Sequence, residues 1–485
     1  MTPRTRLAWV LLFAAACAAP KTAKLADNRT TPLVVNVDPK LVEMTVEATT
    51  ALLDADDHNE LGLRVRITGK ALPDAQRPAL NLGLVLDTSG SMEGDAIASL
   101  RDSAKGLVAK LRDGDRLSIV AFHSHADVLV QNDVITSATR ARALKKIDGI
   151  AARGTTDLAS GLAFGLAQVT AARLPAGINR IVLLSDGVPN NQTNLPATLA
   201  SIQQNGISVT SLGLGIDYDT TLMTRIARDT GGAFHYIEKP DAVAAVFDEE
   251  LTKMTTVVGR GLNLVIEPGP NVKFHALPGF TLAPDGKLYA VVGDLAAGET
   301  RDLMFPLAIA ARGEGSTAEI ALATLTFDDV IGKTGQQKRD GFVALKTSND
   351  AAAIKAAVKI GLEAARVRAT AAGATLEAIA LARSGQIEQA RKRVADAITA
   401  VKAAIKKLGD PELETIVTEL DALSKDLAKI VPPPQVIGTG MPHGTGMQLD
   451  HAPAPAMAPP MVEPTLRRAE ERAGETVRGS KNRRR

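Results

Sequence analysis

Four short runs, "LGLVLD" (82–87), "DRLSIVAF" (115–122), "RIVLLSD" (180–186) and "ISVTSLGLG" (207–215), are apolar at nearly every position, and helix-length stretches lie among them. A strand with one face in water alternates in polarity. An unbroken apolar strand is covered on both faces, and strands alternating with helices imply a mostly parallel sheet sandwiched by helices. Helices are expected over 95–111, 136–146, 158–172, 195–205, 219–230 and 241–254. "ADVLV" (126–130) reads as a hairpin partner of the second run, and "AFHYI" (233–237) as a last strand. The expectation is therefore an α/β, doubly wound, mostly parallel sheet over residues 80–255, whose ligands would sit beyond the carboxyl ends of the strands.

The flanks have a different texture. Residues 33–78 contain "PLVVNVDP", "VEMTVEATTALL" and "LGLRVRITGK", short alternating or β-branched runs broken by Pro, Asp and Gly. Residues 256–346 return to that texture, so a β-sandwich is expected there, with the α/β unit inserted between two halves of one β module. Residues 349–430 are alanine-rich and helix-periodic, with breaks at "RSGQ" and "LGDP" that suit three helices in an antiparallel bundle. Residues 431–485 read as a disordered Pro/Gly-rich and basic tail.

A chain of 485 residues is too long for one core, in keeping with this division. Aromatics make up only 3%, so the cores are built from Ala, Leu, Val and Ile. A net charge of +2 gives no global attraction to polyanions, and the basic end "RRAEERAGETVRGSKNRRR" has no interleaved aromatics, so no nucleic-acid partner is expected.

The N-terminus places Arg4 and Arg6 ahead of an apolar run, Leu7 to Ala16, too short for a stable bilayer span. It reads as a secretory signal ending at Cys17, the only cysteine. The arrangement resembles a bacterial lipobox, which implies residues 1–17 as a lipoprotein signal peptide, 18–32 as a linker and Cys17 as the lipidated residue. Ala14 and Ala16 also suit ordinary cleavage with Cys17 merely nearby. The expected location is exported: an outer-membrane or cell-surface lipoprotein, or otherwise a periplasmic or secreted protein.

Three oxygen-rich clusters end at one edge of the predicted sheet: Asp87, Ser89 and Ser91 in "DTSGS"; Thr155 and Thr156 in "GTTD"; and Asp186 in "SDG". Asp, Ser and Gly after a strand are also ordinary turn and capping residues. Hard oxygens with only two carboxylates suit an octahedral divalent cation held partly through water, most simply Mg²⁺, with Ca²⁺ or Mn²⁺ as alternatives. Order and spacing resemble the von Willebrand factor type A domain and its metal-ion-dependent adhesion site. That resemblance implies Asp87, Ser89, Ser91, Thr156 (or Thr155) and Asp186 as the metal residues. It also implies a protein partner whose Asp or Glu carboxylate completes the coordination, in adhesion or envelope assembly. An alternative is a structural envelope protein whose metal site only stabilises the fold.

Enzymatic readings are weaker, and no enzyme is expected. "TSGSMEG" is not GxSxG. Gly332, Lys333 and Thr334 imitate the end of a P-loop, but Phe327 stands where its first glycine belongs. His123 and His125 share one face at strand spacing and could ligate a metal, yet without a third ligand they read as a polar edge.

Overall fold

The computed structural model describes residues 40–71, 77–190, 192–215, 218–310, 312–430 and 463–479. Cys17 and the predicted signal lie outside them.

Strands β1 (Val42–Ala48), β2 (Leu52–Asp54) and β3 (Asn59–Gly69) come first. The α/β unit follows as β4 (Leu80–Asp87), α1 (Asp95–Lys110), β5 (Arg116–Phe122), β6 (Ala126–Val134), α2 (Ser137–Asp148), α3 (Leu158–Ala171) and β7 (Ile178–Ser185). It ends with α4 (Leu195–Gln204), β8 (Ser208–Leu214), α5 (Thr220–Asp229), β9 (Phe234–Ile237) and α6 (Val243–Thr255). The strand order is β6-β5-β4-β7-β8-β9, with every neighbour parallel except the β5–β6 hairpin. Each residue of β4, β7 and β8 is buried, as continuous apolar runs demand.

Alternation along β4 divides the core. Leu84 and Leu86 face a cluster with Leu100 and Leu107 of α1, Ile147 of α2 and Phe247 of α6. Val85 faces the other, with Leu162 of α3, Ile202 of α4 and Ile226 of α5. Helix α3 lies unusually close to the sheet because two of its inward positions are glycine. A Cβ on Gly165 would stand 2.4 Å from Val85 Cγ2, and one on Gly161 2.6 Å from the Phe122 ring. That approach fixes the loop entering α3.

The sandwich continues with β10 (Val257–Pro268), β11 (Val272–Phe274), β12 (Thr281–Leu282), β13 (Leu288–Ala296), β14 (Thr300–Ile309), β15 (Thr317–Asp329) and β16 (Gly335–Ser348). Its sheets run β1-β3-β14-β11 and β12-β13-β10-β15-β16-β2. Leu63, Val65, Ile67 and Phe305 meet Leu264, Ile266 and Leu325 in one core. The strands before the α/β unit thus join those after it, as the insertion expectation required.

A short α7 (Ala351–Ala357) leads into the bundle helices α8 (Ile360–Arg383), α9 (Ile387–Leu408) and α10 (Glu412–Lys429). The expectation of a disordered tail needs one correction, because Glu463–Val477 forms a further helix, α11. Its apolar residues explain it: Leu466 enters the bundle core, while Ala473 and Val477 pack on Ala372 of α8. Arg467, only 4% exposed, stacks on the Tyr218 ring at 4.1 Å and donates to the Tyr218 carbonyl at 3.0 Å. Glu471 accepts the Tyr236 N–H on the open edge of β9. Among the described residues no helix is long and apolar enough to cross a membrane.

Candidate metal centre

The central strand β4 delivers Asp87 to the carboxyl edge of the sheet, fully buried. Its Oδ1 accepts the Ser89 N–H at 2.9 Å, and its Oδ2 accepts the hydroxyl of Ser185, the last residue of β7, at 2.5 Å. The chain then turns through Gly90–Met92, a single turn of 3₁₀ helix that brings both serines to one side. Ser89 Oγ and Ser91 Oγ lie 3.1 Å apart, and Ser91 Oγ donates to Asp186 Oδ1 at 2.8 Å.

The loop before α3 is stitched to this turn. Gly90 N–H donates to the Gly154 carbonyl at 3.0 Å, and Arg153 N–H to the Thr88 carbonyl at 2.8 Å. Thr156 is 7% exposed, and its carbonyl accepts the Asn190 N–H at 3.1 Å. Its hydroxyl sits so near the turn after β7 that a Cβ on Gly187 would fall 2.9 Å from it. Thr155 instead bonds Ser124 Oγ at 3.2 Å, so Thr156 is the threonine turned to the cluster. Asp87, Ser89, Ser91 and Asp186 therefore meet in one cluster, with Thr156 against the Gly187 turn beside it, although Asp186 and Asp87 lie 99 residues apart in sequence.

The donors suit a hard divalent cation. All are oxygen, and the spacings of 2.8 and 3.1 Å bracket the separation of adjacent oxygens on an octahedral ion, about 2.9 Å for bonds of 2.0–2.1 Å. Burial pushes the Asp87 carboxyl above its usual range, against the opposing bonds from Ser185, Ser89 and the Asp186 N–H. Among the described residues no Lys, Arg or His bonds Asp87, so its charge has no counter-ion from the chain. Exposure grades from buried Asp87 to exposed Ser91, leaving the cluster open at its outer side.

Two other sequence features resolve differently. Gly332 and Thr334 turn their N–H groups onto the carboxylate of Asp329, at 3.0 and 3.3 Å, so that turn is folded around its own acid. His123 and His125 gain Asp127 as a neighbour, the potential ligand atoms of all three lying within 4.8 Å of one another. The signal was present, since positions 123, 125 and 127 continue one alternation.

Comparison with known proteins agrees with this geometry. Residues 81–249 match the von Willebrand factor type A domain. The chain therefore carries a von Willebrand factor type A domain over these residues, a class that commonly binds protein partners and often binds divalent cations. It is 31% identical over 212 residues to the Synechocystis protein sll0103, covering 43% of this chain and 49% of that one. It is 30% identical over 214 residues to Escherichia coli YfbK, covering 43% and 37%. The chain thus spans half or less of these relatives' lengths. The solved structure of a von Willebrand factor type A protein from Catenulispora acidiphila superposes over 91% of this chain and 97% of that one, with a TM-score of 0.63 at 16% identity, a likeness of fold.

Proposed function

We propose that the α/β domain captures a protein partner through a divalent cation held by Asp87, Ser89, Ser91, Thr156 and Asp186. The observation that carries this reading is a fully buried carboxylate that bonds no basic side chain among the described residues, beside an open run of oxygens from Ser89 through Ser91 to Asp186. Asp87 supplies charge, Ser185 and the Ser89 N–H orient it, and Ser91 and Asp186 face solvent where a partner would approach. A bound Mg²⁺ would supply Lewis acidity toward one further anionic oxygen, an Asp or Glu side chain of the partner. The role is binding, not catalysis.

The same proposal includes export and anchoring through lipidated Cys17 at the outer membrane or cell surface. Loss of radiolabelled fatty-acid incorporation on Cys17→Ser tests the anchor. Pull-downs from envelope extracts test the capture, which should require Mg²⁺, vanish with EDTA and vanish on Asp87→Ala. Partner capture unchanged by EDTA and by the substitution would overturn the adhesion reading. Mg²⁺-dependent melting without Mg²⁺-dependent capture would instead favour a purely structural ion.

A further inference from the structure

Outside the oxygen-rich cluster, three side chains converge at the turn between β5 and β6. His123, 4% exposed, follows β5; His125 lies in the turn; Asp127 is the second residue of β6. The His123 N–H donates to the His125 carbonyl at 2.9 Å, which holds the turn tight. Nε2 of His123 and Nε2 of His125 stand 3.5 and 3.4 Å from the same atom, Asp127 Oδ2. The two rings meet edge to face with centroids 4.2 Å apart.

Those separations exceed the 2.7–3.2 Å of a good N–H···O bond. They match a different object. With zinc bonds of 2.0–2.2 Å, neighbouring donors on a tetrahedron are about 3.3–3.6 Å apart.

The space the three side chains face already holds a positive group. Arg153 Nε–H points at His123 Nε2 at 2.9 Å, and Arg153 Nη2 lies 3.3 Å from Asp127 Oδ2. The Arg153 side chain is 65% exposed and can swing into solvent. Nδ1 of His123 meets a second donor, the Ser124 N–H at 2.8 Å, and a neutral imidazole has only one in-plane lone pair to offer the two. Ligation through Nε2 would put the ring proton on Nδ1, and the ring would tilt away from the Ser124 N–H, which water can reach at this exposed residue while the peptide itself stays held by Asp157.

We propose that His123, His125 and Asp127 form a second cation site, for Zn²⁺ or a similar borderline ion with water in the fourth position, and that Arg153 is the plug this ion displaces. Two imidazoles and one carboxylate suit such ions, whereas Mg²⁺ keeps to oxygen. The domain would thus hold two cations of unlike chemistry. They share a support: Asp157 N–H donates to the His123 carbonyl at 2.7 Å and Thr155 N–H to Ser124 Oγ at 3.0 Å, so an ion here would stiffen the loop that presents Thr156.

Calorimetric titration of the untagged full chain with Zn²⁺ tests this, in a Ser89→Ala/Ser91→Ala background that removes the oxygen site. One Zn²⁺ per chain is expected. His125→Ala and Asp127→Asn, at solvent-accessible positions, should each weaken binding by about tenfold or more. Arg153→Ala should tighten it several-fold, which a merely structural arginine would not do. Absence of Zn²⁺ binding, or binding undiminished by either ligand substitution, overturns the site. Arg153→Ala binding no tighter than its parent overturns the plug.

Discussion

Asp87 at the carboxyl edge of the α/β sheet and Glu250 on helix α6 are both buried carboxylates, 0% and 2% exposed, but their surroundings differ in kind. Glu250 accepts from Thr210 at 2.8 Å and meets His235 Nε2 at 3.1 Å and Lys253 Nζ at 3.2 Å. Next to it, Arg180 bonds Asp294 of the sandwich at 2.6 Å. Burial alone would raise the Glu250 carboxyl, yet His235, Lys253 and Arg180 outweigh burial and hold it far below its usual range. Asp87 has hydroxyls and N–H groups but, among the described residues, no base, and its carboxyl is pushed up. The junction between domains is neutralised by the chain itself; the buried charge at the sheet edge is the one we propose a cation meets.

The sharpest way to break this contrast is to remove a base from the junction. Arg180→Ala strands Asp294 and should cost about 3–5 kcal/mol, read as a lowered urea midpoint. At the other site, Asp87→Asn should weaken Mg²⁺ binding by about a hundredfold, the scale of 3 kcal/mol for a lost buried charge partner. The same variant should melt higher than wild type when both are metal-free at neutral pH.

The pH dependence then has opposite signs. Asp87 has a raised folded pKa, so its stabilising contribution to the metal-free protein is full below about pH 4, the ordinary carboxyl value, and is lost as pH rises through the raised one. Glu250 has a lowered folded pKa, so its contribution is present above about pH 4 and is lost as pH falls toward the lowered one. Melting scans should therefore find the gain of Asp87→Asn disappearing in acid, and the penalty of Glu250→Gln shrinking there.

Smaller effects test the scaffold. Gly165→Ala must push α3 from Val85 and should cost about 1–3 kcal/mol by overpacking, weakening Mg²⁺ binding through displacement of Thr156. Thr156→Val should reduce Mg²⁺ affinity measurably. Thr155→Val, whose hydroxyl bonds Ser124, should change stability by less than about 0.5 kcal/mol and leave affinity unchanged.

Much of this was legible in the sequence because apolar runs and oxygen clusters obey local rules. "LGLVLD" needs cover on both faces wherever it lies, and a DxSxS turn needs only its own residues to present its oxygens. The choice between Thr155 and Thr156 was not local, since it depends on the close seat of α3 and the turn at Gly187. Asp127 was within reach, but the hairpin had to close before the strand alternation became a cluster. Helix α11 was hidden by composition: Leu466, Ala469, Ala473 and Val477 form a helical stripe among charged residues, and its seat includes Tyr218, far away in sequence.

The insertion of the α/β unit also bears on the order in which the molecule can assemble. Arg66 of β3 bonds Asp302 of β14, a partner 236 residues later. As the chain emerges end first, β1 and β3 must wait, with β3's second edge unpaired, while the whole α/β unit is made and folds. Unpaired strand edges recruit other chains, and distant pairings are slow. The α/β unit can form its own sheet in that interval, so the vulnerable intermediate is one in which a finished α/β unit carries an open β1–β3 hairpin. A holding chaperone or slow release from the ribosome would protect yield by shielding that hairpin until β14 arrives.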